Sequence, residues 1–313
     1  MGKLTETRVA FGEALLELGR ENPAVVVLDA DLYKSTRTVL FRDAFPERFF
    51  DIGISEADMI STAAGMAASG LIPYCNSFAV FLTGMCYVAI RTQIAYPGLP
   101  VKLIGSSAGL TYGPDGASHQ ALEDLNLMRG LPNMTVVSPA DEVETRQATK
   151  LIAEWPGPVY MRLGRYPVPR LFDDSYRFQL GKLAVLRPGG DVCLFATGHM
   201  VCKALEAADW LAGDGIQARV VNVSTLKPLD AAAVRAAAAD VALVVSVEEH
   251  NIIGGLGSAV AECLAEAEPR PRLLRLGVRD TFGESGLAEE LLEKHRLTGR
   301  LIAEDIRKGL RNG

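Results

Sequence analysis

The chain has 313 residues and a mass of 33.6 kDa, room for about two domains at ~100–200 residues each. Hydrophobic residues make up 49% and charged residues 22%, which excludes a disordered or collagen-like chain. With 32 basic against 38 acidic residues the net charge is −6, so composition gives no electrostatic case for nucleic-acid binding.

The start, 1–22, carries acidic residues inside its apolar pattern and reads as a helix over 5–20 rather than a signal peptide. A β-branched run at 24–31 reads as a strand buried on both faces. A helix near 36–45, a strand at 49–54 and a helix from about Glu56 to Ser69 follow. A strand at 71–76, a helix at 79–95, a strand at 101–106 and a glycine-rich loop at 107–118 come next. A helix near 120–130, a strand at 134–139, a helix at 141–153 and a strand at 158–163 complete the first part. Residues 164–190 break the rhythm with Pro167, Pro169, Pro188, Gly189 and Gly190. The pattern then restarts with strands at 191–197, 217–223, 241–247 and 272–277, alternating with helices, and ends in two helices. The expected division is a first domain over 1–180, a linker over 181–190 and a second domain over 191–313. Alternation of this kind predicts α/β architecture with two doubly wound, mostly parallel sheets.

From Met59 to Ile90 no residue is charged, a length that could span a bilayer. Gly65, Gly70, Pro73, Asn76, Ser77 and Gly84 interrupt it, and it reads as buried helix, strand and helix rather than a membrane span. The five cysteines form no C-x-x-C pair and are odd in number, which argues against a disulfide framework or structural zinc and for a reducing compartment such as the cytoplasm.

Ligands of doubly wound sheets collect beyond the carboxyl ends of the strands, and four segments fall there. The loop 109–125 places Asp115 and His119 four apart in a glycine-rich turn. On spacing alone, local turn and cap bonds are the favoured reading, while a histidine there can also exchange a proton near neutral pH. Glu56 opens a long uncharged helix, either as a partly desolvated acid or as a carboxylate favoured by the helix dipole. Phe78 and Phe81 are core aromatics or a stacking platform for a flat heterocycle. Asp29, Asp31, Ser35 and Arg37 follow the first strand of the alternation. Two runs mislead. The G-D-G at 213–215 lies between helix and strand and reads as a turn. The GGLGSAV at 254–260 lacks the spacing of a phosphate loop.

Taken in order, these segments resemble the transketolase family. DGASHQALEDL (115–125) resembles its D-G-P-T-H-Q loop. GISEADM (53–59) resembles the segment with the catalytic glutamate, SFAVF (77–81) the aromatic pair around the aminopyrimidine, and ADLYKS (30–35) its A-D-L-x-x-S. VEEHNIIGGLGSAV (247–260) resembles the signature of the C-terminal domain. The resemblance covers nearly the whole chain and implies a pyrimidine-binding domain followed by a C-terminal domain. It implies thiamine diphosphate as cofactor, with Glu56 holding the proton that sets the pyrimidine tautomer. Phe78 and Phe81 would stack on the ring, and Ile54, Leu32 and Asp31 would line its site. His119 would bond the oxygens at the reacting carbonyl and Asp115 the adjacent hydroxyl. Ser35 and Arg162, with Arg165 as an alternate, would bind a distal phosphate. Ser107 stands where the family has a histidine, which leaves an unphosphorylated or modified sugar open.

No segment supplies the magnesium-diphosphate motif, so Mg2+ ligands are expected from another chain and none from this one. The resemblance thus implies the C-terminal half of a split transketolase, which moves a two-carbon ketol unit between sugars. The expected partners are an N-terminal subunit, in a heterotetramer, and a small sugar; nucleic acid and membrane are not expected. Two rival readings are the beta subunit of a 2-oxo-acid dehydrogenase, disfavoured by D-G-A-S-H-Q, and a non-catalytic subunit that keeps the fold.

Overall fold

The computed structural model describes residues 4–267 and 271–311. Its strands are β1 (Leu4–Glu6), β2 (Val25–Asp29), β3 (Phe49–Asp51), β4 (Ile72–Phe78), β5 (Lys102–Ser106), β6 (Thr135–Val137) and β7 (Val159–Arg162). There follow β8 (Pro167–Pro169), β9 (Ala184–Arg187), β10 (Val192–Ala196), β11 (Ala218–Asn222), β12 (Thr225–Lys227), β13 (Leu243–Asn251) and β14 (Leu273–Val278).

The first large sheet runs β12-β6-β7-β5-β4-β2-β3 and the second β14-β13-β10-β11-β9, while β1 and β8 form a separate antiparallel pair. Pairing is parallel in both except where β12 meets β6 and β9 meets β11. The expected doubly wound α/β class is therefore the architecture of the chain. The reason is visible in β2 and β10, VVVLD and VCLFA, in which every residue is buried; only strands covered on both faces tolerate such continuous apolar runs. Helix Thr7–Glu21 packs on helix Glu142–Glu154 over the first sheet, and helix Met200–Ala212 on helix Gly299–Arg311 over the second. No helix among the described residues is long and apolar enough to cross a membrane.

Several local expectations are corrected. The helix near 36–45 is two short helices, Tyr33–Thr36 and Val39–Ala44, because Arg37 between them is left-handed at φ 68°. The strand expected to reach residue 54 stops at Asp51, ahead of Gly53 at φ 72°. The helix expected at 79–95 becomes widened π-type turns, Phe81–Met85 and Ile90–Ala95, around an α turn at Tyr87–Ala89. Thr83 and Thr92 there donate back to the carbonyls of Ala79 and Val88 at 2.7 and 2.8 Å, a habit that distorts regular helices. Within 181–190, β9 already belongs to the second sheet's edge.

The two sheets are stitched together. β12 leaves the second half of the chain to pair with β6 of the first sheet, Thr225 opposite Val137. Buried Glu144 accepts from Asn222 at 3.0 Å. β2, β4, β5 and β7 run parallel, so their carboxyl ends lie along one edge of the first sheet.

Candidate active site

Glu56 is the first residue of helix Glu56–Ala68 and is only 4% exposed. Its Oε1 accepts the hydroxyl hydrogen bond of Ser77, near the end of β4, at 2.9 Å. The first turn of a helix favours a carboxylate, and the serine fixes which way it points. Burial, then the Glu56 charge, pushes the nearby Cys86 thiol up to about 11, so that cysteine is no nucleophile at neutral pH.

Beside Ser77, Phe78 closes β4 and Phe81 opens the first widened turn. Their ring centroids lie 6.1 Å apart at 34°. Helix Glu56–Ala68 packs against that turn. The loop after β5 closes over the same rings. His119 stands edge-on to Phe81 at 5.2 Å and stacks on Tyr112 at 5.8 Å, while Tyr112 is 5.2 Å from Phe78. Such aromatic contacts are worth about 0.5–1.5 kcal/mol each beyond burial. Burial, then a hydrogen bond from the Tyr112 hydroxyl to exposed Asp115, pushes that phenol up to about 12. Ser118 Oγ lies 2.9 Å from His119 Nδ1. The Phe78–Phe81 and Tyr112–His119 segments, separate in sequence, thus share one cluster.

Tyr112 has little to mark it in the sequence; an aromatic close to two glycines of that loop is its only signal. Asp31, Leu32 and Ser35 sit past β2, the strand beside β4. Asp31 is exposed at φ 58°, and its amide donates to Asp51 at 3.1 Å. Asp29 anchors this turn from below, accepting from the Leu32 amide at 2.6 Å and the Thr36 and Thr38 hydroxyls at 2.7 and 2.8 Å. Ile54, past β3, is 87% exposed.

Arg162 departs from its expected role. It is 7% exposed, and its guanidinium donates to Asp124 Oδ2 at 2.8 Å and to the carbonyls of Ala121 and Glu249 at 3.2 and 2.9 Å. Those bonds engage Nε and Nη2 inside the chain, while Arg162 also lines a small pocket with Thr7, Gly164 and His199. The alternate, Arg165, is half-buried with its guanidinium 5.0 Å from the Tyr112 ring. Ser107 is fully buried at φ 57°.

The E-E-H of β13 faces inward. Glu248 accepts the amides of Leu256 and Gly257 at 2.7 and 2.8 Å, so the helix start inside GGLGSAV already holds an internal carboxylate. Glu249 accepts the Thr111 amide at 2.5 Å and approaches His199 Nδ1 at 3.4 Å. Burial pushes Glu249 up to about 7 and His199 down to about 3, the latter aided by Arg162 and Lys203. His199 is therefore held neutral, and the contact is no ion pair. The G-D-G at 213–215 lies in the turn between helix Met200–Ala212 and β11. Among the described residues no three His, Cys, Asp or Glu side chains group to hold a metal ion.

A buried carboxylate and a cluster of tilted aromatic rings thus lie at the strand ends of one of two doubly wound domains. The sequence places the chain within a known group: residues 3–169 match the transketolase pyrimidine-binding domain and residues 181–302 the transketolase C-terminal domain. The chain belongs to the transketolase family. It is 45% identical over 295 residues to a 6-deoxy-6-sulfo-D-fructose transketolase subunit of Clostridium sp. (strain MSTE9), covering 94% of this chain and 91% of that one. It is 35% identical over 291 residues to an apulose-4-phosphate transketolase subunit of Phocaeicola vulgatus, covering 93% of each. A solved structure described as a split gene transketolase, inactive beta4 tetramer, superposes with a TM-score of 0.90 at 51% identity over 98% of both chains.

Proposed function

We propose that this chain is the C-terminal subunit of a thiamine-diphosphate-dependent transketolase that transfers a two-carbon ketol unit between sugars. In this reading a separate N-terminal subunit supplies the diphosphate and Mg2+ ligands. The observation that carries it is the Glu56 carboxylate, buried and oriented by Ser77, next to the Phe78–Phe81 wall. That donor set suits an aminopyrimidine: a carboxyl to share a proton with a ring nitrogen and aromatic faces to stack on it. Thiamine diphosphate, when bound, supplies a carbon nucleophile and an electron sink.

Glu56 holds the proton at the pyrimidine ring nitrogen, and its burial excludes water from that contact. Phe78 and Phe81 orient the ring. Leu32 and Asp31 line its approach, and Ile54 packs on it once assembly covers that side chain. His119 bonds the oxygens at the reacting carbonyl, and Asp115 accepts from the adjacent hydroxyl, which selects one stereochemistry. Ser35 and Arg165, rather than Arg162, meet an anionic group at the far end of the sugar. Relatives named for a sulfonated and a phosphorylated sugar make such a group, borne by a modified sugar, the favoured substrate class.

The partner subunit docks on the widened turns that pack against helix Glu56–Ala68, where Met85 and Val88 are 71% and 70% exposed. Exposed apolar side chains in a cluster mark association surfaces. The relative described as an inactive beta4 tetramer supports both self-association and dependence on another chain, and a heterotetramer is the expected assembly. Five free, buried cysteines suit the cytoplasm.

The test is Glu56→Ala in the enzyme reconstituted with its N-terminal subunit, thiamine diphosphate and Mg2+. Turnover of a ketose donor should fall by about 10²–10⁴-fold, the range for a lost acid–base group, with thermal unfolding unchanged. Near-normal turnover removes Glu56 from the mechanism. In the same assay Asp115→Ala should weaken donors that carry the adjacent hydroxyl far more than donors that lack it; equal losses contradict its assignment.

A further inference from the structure

The loop that carries Tyr112, Asp115 and His119 belongs to the first domain, yet the second domain holds it. Glu249 of β13 is 2% exposed, and its Oε1 accepts the Thr111 amide at 2.5 Å. Its backbone carbonyl accepts from Arg162, and two residues on the Asn251 amide donates to the Leu122 carbonyl at 2.9 Å. Farther along the loop, the Gln120 side-chain amide donates to the Glu284 carbonyl at 2.9 Å.

The loop is shaped to receive the carboxylate. Gly109 has φ 89°, and a Cβ there would lie 2.0 Å from Glu249 Oε2. Only glycine gives both the turn and the space. Thr111 lies within the short turn Leu110–Tyr112, so its amide and the Tyr112 ring move together. That ring stacks on His119 and packs against Phe78.

Glu248, one residue earlier, gives the contrast. Its carboxylate bonds within its own domain, at the start of helix Leu256–Ala265. Glu249 bonds across the domain boundary, to a loop amide.

We propose that Glu249 is a positioning residue: its carboxylate on the Thr111 amide lets the second domain fix the turn that sets Tyr112, and through it His119 and Asp115, against Phe78 and Phe81. Its consequence for turnover rests on the transketolase reading above; its effect on the loop does not. Glu249 touches neither cofactor nor sugar. It acts on substrate binding through the loop alone.

Amide hydrogen exchange on the full chain tests this directly, comparing wild type, Glu249→Ala and Glu249→Gln. Losing the acceptor should speed exchange across 109–120 by about tenfold in Glu249→Ala, the scale of one lost hydrogen bond. β10, β13 and helix Leu256–Ala265 should keep wild-type rates. Glu249→Gln keeps an oxygen able to accept from Thr111 and should restore protection. In the reconstituted enzyme Glu249→Ala should raise KM for the ketose donor by about tenfold and leave thiamine diphosphate affinity unchanged, with rescue by Glu249→Gln. Unchanged loop exchange, loosening spread over the whole second sheet, or failure of the glutamine variant to rescue each overturns the proposal. If the loop responds as expected while the reconstituted protein has no ketol-transfer activity, the transketolase reading falls and the positioning role stands.

Discussion

Asp29 illustrates how single side chains near the site respond to pH. Its carboxylate is enclosed below the turn after β2, and burial pushes it up from 3.8 to about 6, against the hydrogen bonds from Thr36, Leu32 and Thr38. A carboxyl raised on folding contributes stability that is fully present below its unfolded value and is lost as pH rises through its folded value. Wild type should therefore lose stability relative to Asp29→Asn as pH goes from about 4 to about 7, measured by urea unfolding at each pH. A constant gap between the two proteins across that range contradicts the assignment. Glu56, Phe78, Phe81, Asp115 and His119 were legible as candidates because each stands where an apolar strand gives way to a turn or helix. Tyr112 and Glu249 were not: Tyr112 matters through the rings of Phe78 and His119 that the fold brings to it, and Glu249 through Thr111, 138 residues away along the chain.

At the scale of elements, the alternation of strand and helix was readable from β-branched runs such as β2 and β10, while short pieces such as β8, β9 and β12 were not. β8 and β12 are only three residues long and β9 four, too short to stand out by pattern, and each is formed by pairing with a neighbouring edge; β12 in particular is recruited across the domain boundary by β6. The widened turns at 81–95 escaped notice for a related reason, because apolar periodicity does not report hydrogen-bond spacing. Arg162, at the end of β7, ties its strand to helix Asp124–Arg129 through Asp124, which is fully buried. Removing one member of a buried ion pair leaves the other uncompensated. Arg162→Met should cost about 3–5 kcal/mol in denaturant unfolding. Loss of affinity for an anionic sugar with no loss of stability would return Arg162 to the substrate site.

The whole molecule is two doubly wound domains joined by more than a linker. β12, the Glu144–Asn222 bond and the Glu249–Thr111 bond all cross between them. The second domain therefore shapes the site while contributing none of the proposed cofactor-binding side chains. Met85 and Val88, on the widened turns that pack against helix Glu56–Ala68, remain uncovered within this chain. Replacing Val88 by Glu should weaken association with the N-terminal subunit, read by sedimentation, while circular dichroism and melting stay unchanged. Unaltered association moves the docking face elsewhere. The most direct test of the central claim is ketol transfer by the purified chain, with thiamine diphosphate and Mg2+, before and after its N-terminal subunit is added. The account predicts negligible turnover alone and full turnover on mixing; full turnover by the chain alone would contradict it.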